Sequence, residues 1–345
     1  MRLIPVSQLR VDSVLALDII DEHAKILLAK GHTLNQMNLS RLRTTNVASV
    51  YITDEYCFND NTNYTSQPSN ILRRVIIVKR LMKMVSAGTT TKEAVFHTLK
   101  AVYEMVDGLD QQKYSLRLVY EPKKILVNTF EENIIYIAMM SALFALKLGF
   151  SKKEASYICL GALVRDIALI SYNFQEQEMN TPATKEHPIK GYNHLKTRYN
   201  LPEEVLEIVI QHQETYDGKG YPYGLKGEQI CTGARIIAII DMYYKIKTTN
   251  MSRTAATLEE DFKRWTAHLD PTYIKKFLEF VNIYDPDTLV KLTNGDCAVV
   301  TSSRPINPFR PQIKIVKSAK FNKEEIINLS DRPELHIHHI LYYID

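Results

Sequence analysis

The chain has 345 residues, 24% of them charged and 45% hydrophobic, with a formal net charge of +4. That length holds two or three domains with at least one full core, and its Lys/Arg groups at 79–83, 123–124, 152–153 and 275–276 are dispersed, which excludes nucleic acid as the expected partner. Four cysteines, Cys57, Cys159, Cys231 and Cys297, stand far apart without a CxxC pair, the usage of a reducing, cytoplasmic compartment and not of a disulfide framework.

The opening "MRLIPVSQLR" has no long apolar run and no small-residue cleavage site, so secretion is not expected. Residues 1–56 alternate as strands do in "VLALDII", "KILLAK" and "SVYI", with one helical pattern in "MNLSRLRTT", and read as a small β-rich module. Residues 57–123 follow as linker and connecting helices. "CFNDNTNYTSQPSN" has almost nothing to bury, whereas "ILRRVIIVKRLMKMVS" and "TKEAVFHTLKAVYEMV" carry apolar residues at helical spacing.

From 124 to 284 the pattern is helix after helix. The stretch "IIYIAMMSALFAL" at 134–146 falls short of the roughly 20 residues a spanning helix needs, so it reads as a buried helix and no membrane is expected. In "LPEEVLEIVIQH", Pro202 sits where a first-turn proline is tolerated, and Val205, Ile208, Val209 and His212 recur on one face. Residues 285–345 turn to β patterning: two runs flank Asn294-Gly295, a hairpin signal, and "PQIKIVK" offers a third strand.

Four metal-capable side chains fall at buried-looking positions of the helical part: Asp166 in "GALVRDIALI", His187 in "EHPIKG", His212 in "VIQHQE" and Asp241 in "ARIIAIIDMYY". A carboxylate in an apolar stretch is costly unless it is paired or binds a metal. Taken singly, such a histidine is more often a hydrogen-bonded core residue, and Asp166 has Arg165 beside it. Together they would suit a transition metal with open positions, although they come from separate elements. The glycine-spaced "DGKGYPYGLKG" follows a helix, lacks the GxGxxG spacing of a dinucleotide fingerprint and reads as a series of turns.

"HQETYDGKGYPYGLKGEQI" followed by "ARIIAIIDMYY" resembles the HD-GYP domain, the helical branch of the HD metal-dependent phosphohydrolases, whose active members hydrolyse the bacterial second messenger cyclic di-GMP. The resemblance covers about 124–284, and the flanks resemble the β modules often found on either side of that domain. It implies a mainly α fold: an HD-type helical bundle between a small N-terminal β-rich domain and a C-terminal β appendage.

Residue by residue, the resemblance also implies losses. A metal-binding His or Glu ahead of the apolar helix falls at Asn133, the HD pair reads Arg165-Asp166, the phosphate-facing lysine becomes Leu169, and the second histidine after His212 is Gln213. One implied ion keeps only Asp166 and Asp241. The other keeps Asp166, His187 and His212 of four ligands. Arg165 cannot release its proton, and at about 4 Å with an effective dielectric near 20 it repels a divalent ion by several kcal/mol. It either replaces the first ion against Asp166 and Asp241, or turns outward and leaves one weakly bound ion.

The expectation is a degenerate, catalytically inactive regulatory or binding module of cyclic di-GMP signalling without a cofactor. Arg165, Arg235 and the amides of the Asp217, Gly218, Gly220, Tyr221, Pro222 loop would meet cyclic di-GMP, or that loop would meet a protein partner. Two alternatives stay open: a weak phosphodiesterase with a single Fe or Mn ion on Asp166, His187 and His212, and a structural interaction module, homodimeric through its helices. Near the C-terminus, His336 and His338 in "ELHIHHILYYID" read as solvated residues of an edge strand.

Overall fold

The computed structural model describes residues 1–20, 26–45, 47, 49–58, 91–114, 130–170, 182–249, 255–281, 283–301 and 307–344. The protein is a helical bundle between two small sheets, the mainly α architecture anticipated above.

In the N-terminal module β1 (Arg2–Pro5), β2 (Val14–Leu15) and β5 (Ser49–Thr53) form an antiparallel sheet in the order β1-β5-β2, while β3 (Ile19–Ile20) and β4 (Ile26–Leu28) pair separately. Thus "VLALDII" is two short strands rather than one, because the chain bends at residues 16–17 and Asp18 accepts the backbone N–H of Lys30 at 2.6 Å. Helix α1 (Gln36–Arg43) starts where the Asn35 side chain accepts the Asn38 N–H, and it buries Leu39 and Leu42 against the sheet.

The first connecting helix expected at 71–86 lies outside the described residues. The second is α2 (Lys92–Gln111), which sends Ala101, Val102, Met105, Val106 and Leu109 into the main core. Then come α3 (Phe130–Lys147), α4 (Lys152–Val164), α5 (Ile167–Ile170), α6 (Pro182–Lys185), α7 (His187–Arg198), α8 (Glu203–Gln211), α9 (Thr232–Thr249), α10 (Ala255–Thr266) and α11 (Pro271–Phe280). Residues 134–146 of α3 are all buried, as an apolar helix surrounded by others must be. It packs on α4 and α9, and no helix among the described residues is long and apolar enough to cross a membrane. Helix α4 begins with a reciprocal capping box between Ser151 and Glu154. Helix α8 presses against α4 at Gly161, where an added Cβ would lie 2.6 Å from Ile208 Cγ2, so hydrogen at this position lets the two backbones approach. Pro202 is the N-cap of α8 and His212 its C-cap. The anticipated stripe of Val205, Ile208, Val209 and His212 is buried throughout, and it carries His212 from the helix end into the interior.

The C-terminal sheet has five antiparallel strands in the order β10-β6-β7-β8-β9: β6 (Leu289–Leu292), β7 (Cys297–Val300), β8 (Gln312–Lys317), β9 (Ile326–Asn328) and β10 (Ile337–Leu341). The β6–β7 turn at Asn294-Gly295 is longer than a two-residue hairpin. Only Gly295 adopts a positive φ, +91°, while Asn294 spends its side chain on Asp296. His336 precedes the edge strand β10 and meets Arg310 at 3.2 Å, and His338 meets its neighbour His339.

Residues near the two ends of the chain meet. Arg2, buried in the N-terminal sheet, donates its Nε to both oxygens of Asp54 at 3.1 and 3.0 Å and its NH2 to the carbonyl of Tyr342 at 3.0 Å. Tyr342 and Tyr343 pack against the N-terminal core, and the Tyr343 hydroxyl lies 3.1 Å from Ser13 Oγ. Arg2→Ala is therefore expected to cost about 1–3 kcal/mol, the range for leaving buried hydrogen-bonding groups unpaired. Chemical unfolding would measure the cost, and amide exchange should quicken together in β1 and in residues 342–344. If exchange rose in β1 alone, the tail would not depend on Arg2.

Candidate metal centre

Three side chains from three separate elements converge at the heart of the bundle. Asp166 lies in the turn between α4 and α5, where the chain changes direction after Val164. His187 opens α7, and His212 closes α8. All three are buried, at 6, 3 and 9% exposure.

The two imidazoles are oriented from behind. His187 Nδ1 lies 2.6 Å from the carbonyl of Thr184, and His212 Nδ1 lies 2.8 Å from the carbonyl of Val209. A carbonyl can only accept, so both Nδ1 atoms carry a proton, and in a neutral ring Nε2 is then the atom that presents the lone pair. Those Nε2 atoms are 3.0 Å apart, and they lie 3.4 and 3.3 Å from Asp166 Oδ1, which meets no other donor among the described residues. Three groups able to accept thus face one another in a buried interior, an arrangement that is costly unless a proton or a metal cation joins them. Donors that share one ion at about 2.0–2.2 Å lie about 3 Å from each other, so the triangle fits a single divalent metal held by two histidines and one carboxylate. Among the described residues this is the one such cluster.

The opposite face of Asp166 belongs to Arg165. The guanidinium points inward: Nε donates to Asp166 Oδ2 at 3.0 Å and NH2 to Asp241 Oδ1 at 3.0 Å, while NH1 is buried without a hydrogen-bond partner among the described residues. Asp241, on α9, also receives Lys245 Nζ at 2.7 Å one helical turn on, and so faces two cations instead of the imidazoles. Burial works to raise the Asp166 carboxyl, but the adjacent guanidinium, together with the His187 and His212 side chains, outweighs it and holds the group well below the usual carboxylate range. For Asp241 burial is likewise overcome, by Lys245 and Arg165.

The remaining candidates take other positions. Asn133, on α3, accepts the hydroxyl of Tyr244. Gln213 contributes its carbonyl to the N–H of Tyr221 at 3.2 Å. Arg235 donates to Asp270 at 2.7 Å and lies over the Tyr273 ring. Leu169 is buried and brings no charge.

The glycine-spaced loop packs against this centre. Buried Glu214 accepts the N–H groups of Tyr223 and Leu225 at 2.7 and 3.0 Å, pinning the loop from inside. Asp217 accepts from Thr215 Oγ1 at 2.7 Å and His268 Nδ1 at 2.9 Å, tying the loop to the turn before α11, and Gly218 has φ +81°. The Tyr221–Pro222 peptide is cis. Tyr221 then stands edge-on to His187, ring centroids 6.2 Å apart, and its phenol is raised by burial and by the charge of Asp166.

Sequence reasoning passed over three contributors. The Thr184 and Val209 carbonyls each lie three residues before the histidine they orient, so a histidine at a helix boundary with an i−3 carbonyl was a readable signal. Lys245 lies four residues after Asp241, the spacing of a helical ion pair.

Burial lowers the His212 imidazole below its ordinary 6.5, with the Asp166 carboxylate acting against the shift. The unfolded chain therefore binds this proton more readily than the folded one. Stability is full above the ordinary value and declines as pH falls through 6.5 towards the folded value. The melting temperature of chelator-treated protein should drop between about pH 7 and about pH 5, and drop less in His212→Gln. A midpoint unchanged across that window in the unaltered protein would contradict a buried neutral imidazole.

Residues 144–272 match the family model of the HD domain, and residues 289–343 match that of the KOW domain associated with HD domain. Over 139 residues the chain is 31% identical to the cyclic di-GMP phosphodiesterase PA4108 of Pseudomonas aeruginosa, covering 39% of this chain and 34% of that protein. Over 142 residues it is 32% identical to the cyclic di-GMP phosphodiesterase response regulator RpfG of Xanthomonas campestris pv. campestris, covering 38% and 36%. It is 25% identical over 199 residues to the cyclic di-GMP phosphodiesterase PdeB of Borreliella burgdorferi, covering 53% and 51%. The matches thus span between 34 and 51% of the length of these relatives. Among solved structures, Bd1817, an HDG"Y"P protein from Bdellovibrio bacteriovorus, aligns with a TM-score of 0.49 and 19% identity over 80% of this chain and 97% of that one.

Proposed function

We propose that this HD-domain chain is a metal-dependent phosphodiesterase of low turnover that hydrolyses cyclic di-GMP at a centre of one ion, the first alternative above, in preference to an inactive binding module. The observation that carries this reading is the convergence of three buried acceptors, Asp166 Oδ1, His187 Nε2 and His212 Nε2, with both rings locked by backbone carbonyls in the tautomer that binds metal. An inert remnant has no reason to keep three unpaired acceptors together. The sequence similarity to cyclic di-GMP phosphodiesterases supports the choice of substrate.

An Fe or Mn ion, when bound, would polarise a phosphoryl oxygen and lower the pKa of its water. The protein's own residues supply the rest. Asp166 neutralises part of the ion's charge and is itself oriented by Arg165. The Thr184 and Val209 carbonyls keep both imidazoles from turning. Tyr221 covers the edge of His187, and Glu214 holds the loop that carries Tyr221. Leu169 offers a phosphate no charge, the reason to expect slow turnover. The described residues on the exposed side of the loop, such as Tyr223, are where a protein partner would meet it.

Incubation of protein with cyclic di-GMP and Mn(II) or Fe(II) should yield linear pGpG, and a chelator should stop it. No product with enzyme in excess over nucleotide would leave the regulatory or binding module as the function.

A further inference from the structure

The geometry points to Arg165 as the second cation of this centre: it limits the site to one metal ion and offers its NH1 group to an oxyanion, a phosphate oxygen, bound beside that ion. The inference rests on the proposed phosphodiesterase reading for the identity of the oxyanion, and on geometry alone for the rest.

Asp166 divides its two oxygens between two kinds of charge. Oδ1 faces the histidines, and Oδ2 receives Arg165 Nε at 3.0 Å. The same guanidinium reaches Asp241 Oδ1 at 3.0 Å, so it bridges two carboxylates that would otherwise be available to a second ion. Lys245 holds the other oxygen of Asp241 at 2.7 Å, which leaves that carboxylate no oxygen free of a cation. The charges of Arg165, Lys245, Asp166 and Asp241 cancel. A divalent ion on two neutral imidazoles and Oδ1 then leaves the cluster with an excess of positive charge in a buried site, a strong attraction for an anion.

NH1 is the nitrogen left over. It is buried and has no hydrogen-bond partner among the described residues, although the other two nitrogens of the same guanidinium are both engaged. A planar guanidinium cannot lose its proton and suits phosphate oxygens. Its unpaired N–H group is left for an acceptor that arrives from outside.

The test uses the full chain loaded with Mn(II). Equilibrium dialysis should find about one Mn(II) per chain, with the six-line electron paramagnetic resonance spectrum of an isolated ion. Inorganic phosphate, followed by its 31P relaxation in the Mn(II)-loaded protein, should bind the unaltered chain at least about tenfold more tightly than Arg165→Gln. Arg165→His, which removes the permanent charge and adds a ligand, should take up further Mn(II). Two exchange-coupled ions in the unaltered chain, or equal phosphate affinity in folded Arg165→Gln, would overturn the inference. If Arg165→Gln does not fold, Arg165→Lys serves instead: it keeps the charge, loses the fork, and should still exclude the second ion while binding phosphate more weakly. One ion, Arg165-dependent phosphate binding and no hydrolysis of cyclic di-GMP would leave this inference standing and sink the phosphodiesterase reading alone.

Discussion

Asp166→Ala is expected to lower Mn(II) affinity at least about a hundredfold, the upper end of what even an outer ligand contributes. The substitution removes the one carboxylate of the triad and leaves two neutral nitrogens. It should also destabilise the metal-free protein by about 3 kcal/mol, the lower end for breaking a buried ion pair, because Arg165 retains Asp241. Asp166→Asn separates the two effects. It keeps the volume and one acceptor oxygen, so its stability loss should be smaller, whereas its metal affinity should fall nearly as far. Isothermal titration with Mn(II) and thermal unfolding with and without chelator make both measurements. Undiminished Mn(II) binding in Asp166→Ala would place the metal elsewhere.

Gly220→Ala should be the most damaging single methyl group in the loop. A Cβ built there falls 2.4 Å from Glu214 Cα and Thr215 N and 2.5 Å from the carbonyl oxygen of Gln213, all backbone atoms that cannot rotate aside. The loop must therefore lift. That breaks the Tyr221 N–H bond to Gln213 and withdraws Tyr221 from His187. The expected loss is about 2–3 kcal/mol of stability, the upper part of the range for overpacking. A drop in metal affinity should accompany it, since His212 and Glu214 adjoin the displaced segment. Fluorescence-monitored unfolding would give the first quantity and titration the second. A melting temperature within about 1 °C of the unaltered protein would show that the approach is looser than this geometry requires.

The fold was legible to a large extent because its signals are local. The stripe from Val205 to His212 places α8 and buries the histidine at its end. The apolar run at 134–146 is too short to span a bilayer and too uniform for a surface helix, and it lies in the core. Alternation and turn residues marked both flanking sheets. The hairpin at Asn294-Gly295 forms as its turn signal indicated, and what local patterning left out was the bend that divides "VLALDII".

The site was legible in its ingredients and much less in its arrangement. Asp166, His187, His212 and Asp241 stood out by residue type, yet Asp241 faces Arg165 and Lys245 while the other three face each other. Arg235, a cation of suitable charge, is occupied by Asp270. The carbonyls that set the two histidine tautomers were legible only through their i−3 spacing at a helix boundary, since backbone groups carry no side-chain signature.

By itself the sequence determined which chemical groups the centre has to work with, and that one position in it is a cation unable to release its proton. It also determined the helices that carry those groups, since periodicity and capping depend on neighbours within a turn or two. Only the tertiary structure decided which way Arg165 points, which carboxylate oxygen faces the imidazoles, and that Tyr342 and Tyr343 close over the N-terminal module. Each of those outcomes depends on distances between elements far apart in the chain, set by helix packing and by the need to pair every buried charge, and no spacing of residues along the chain encodes them.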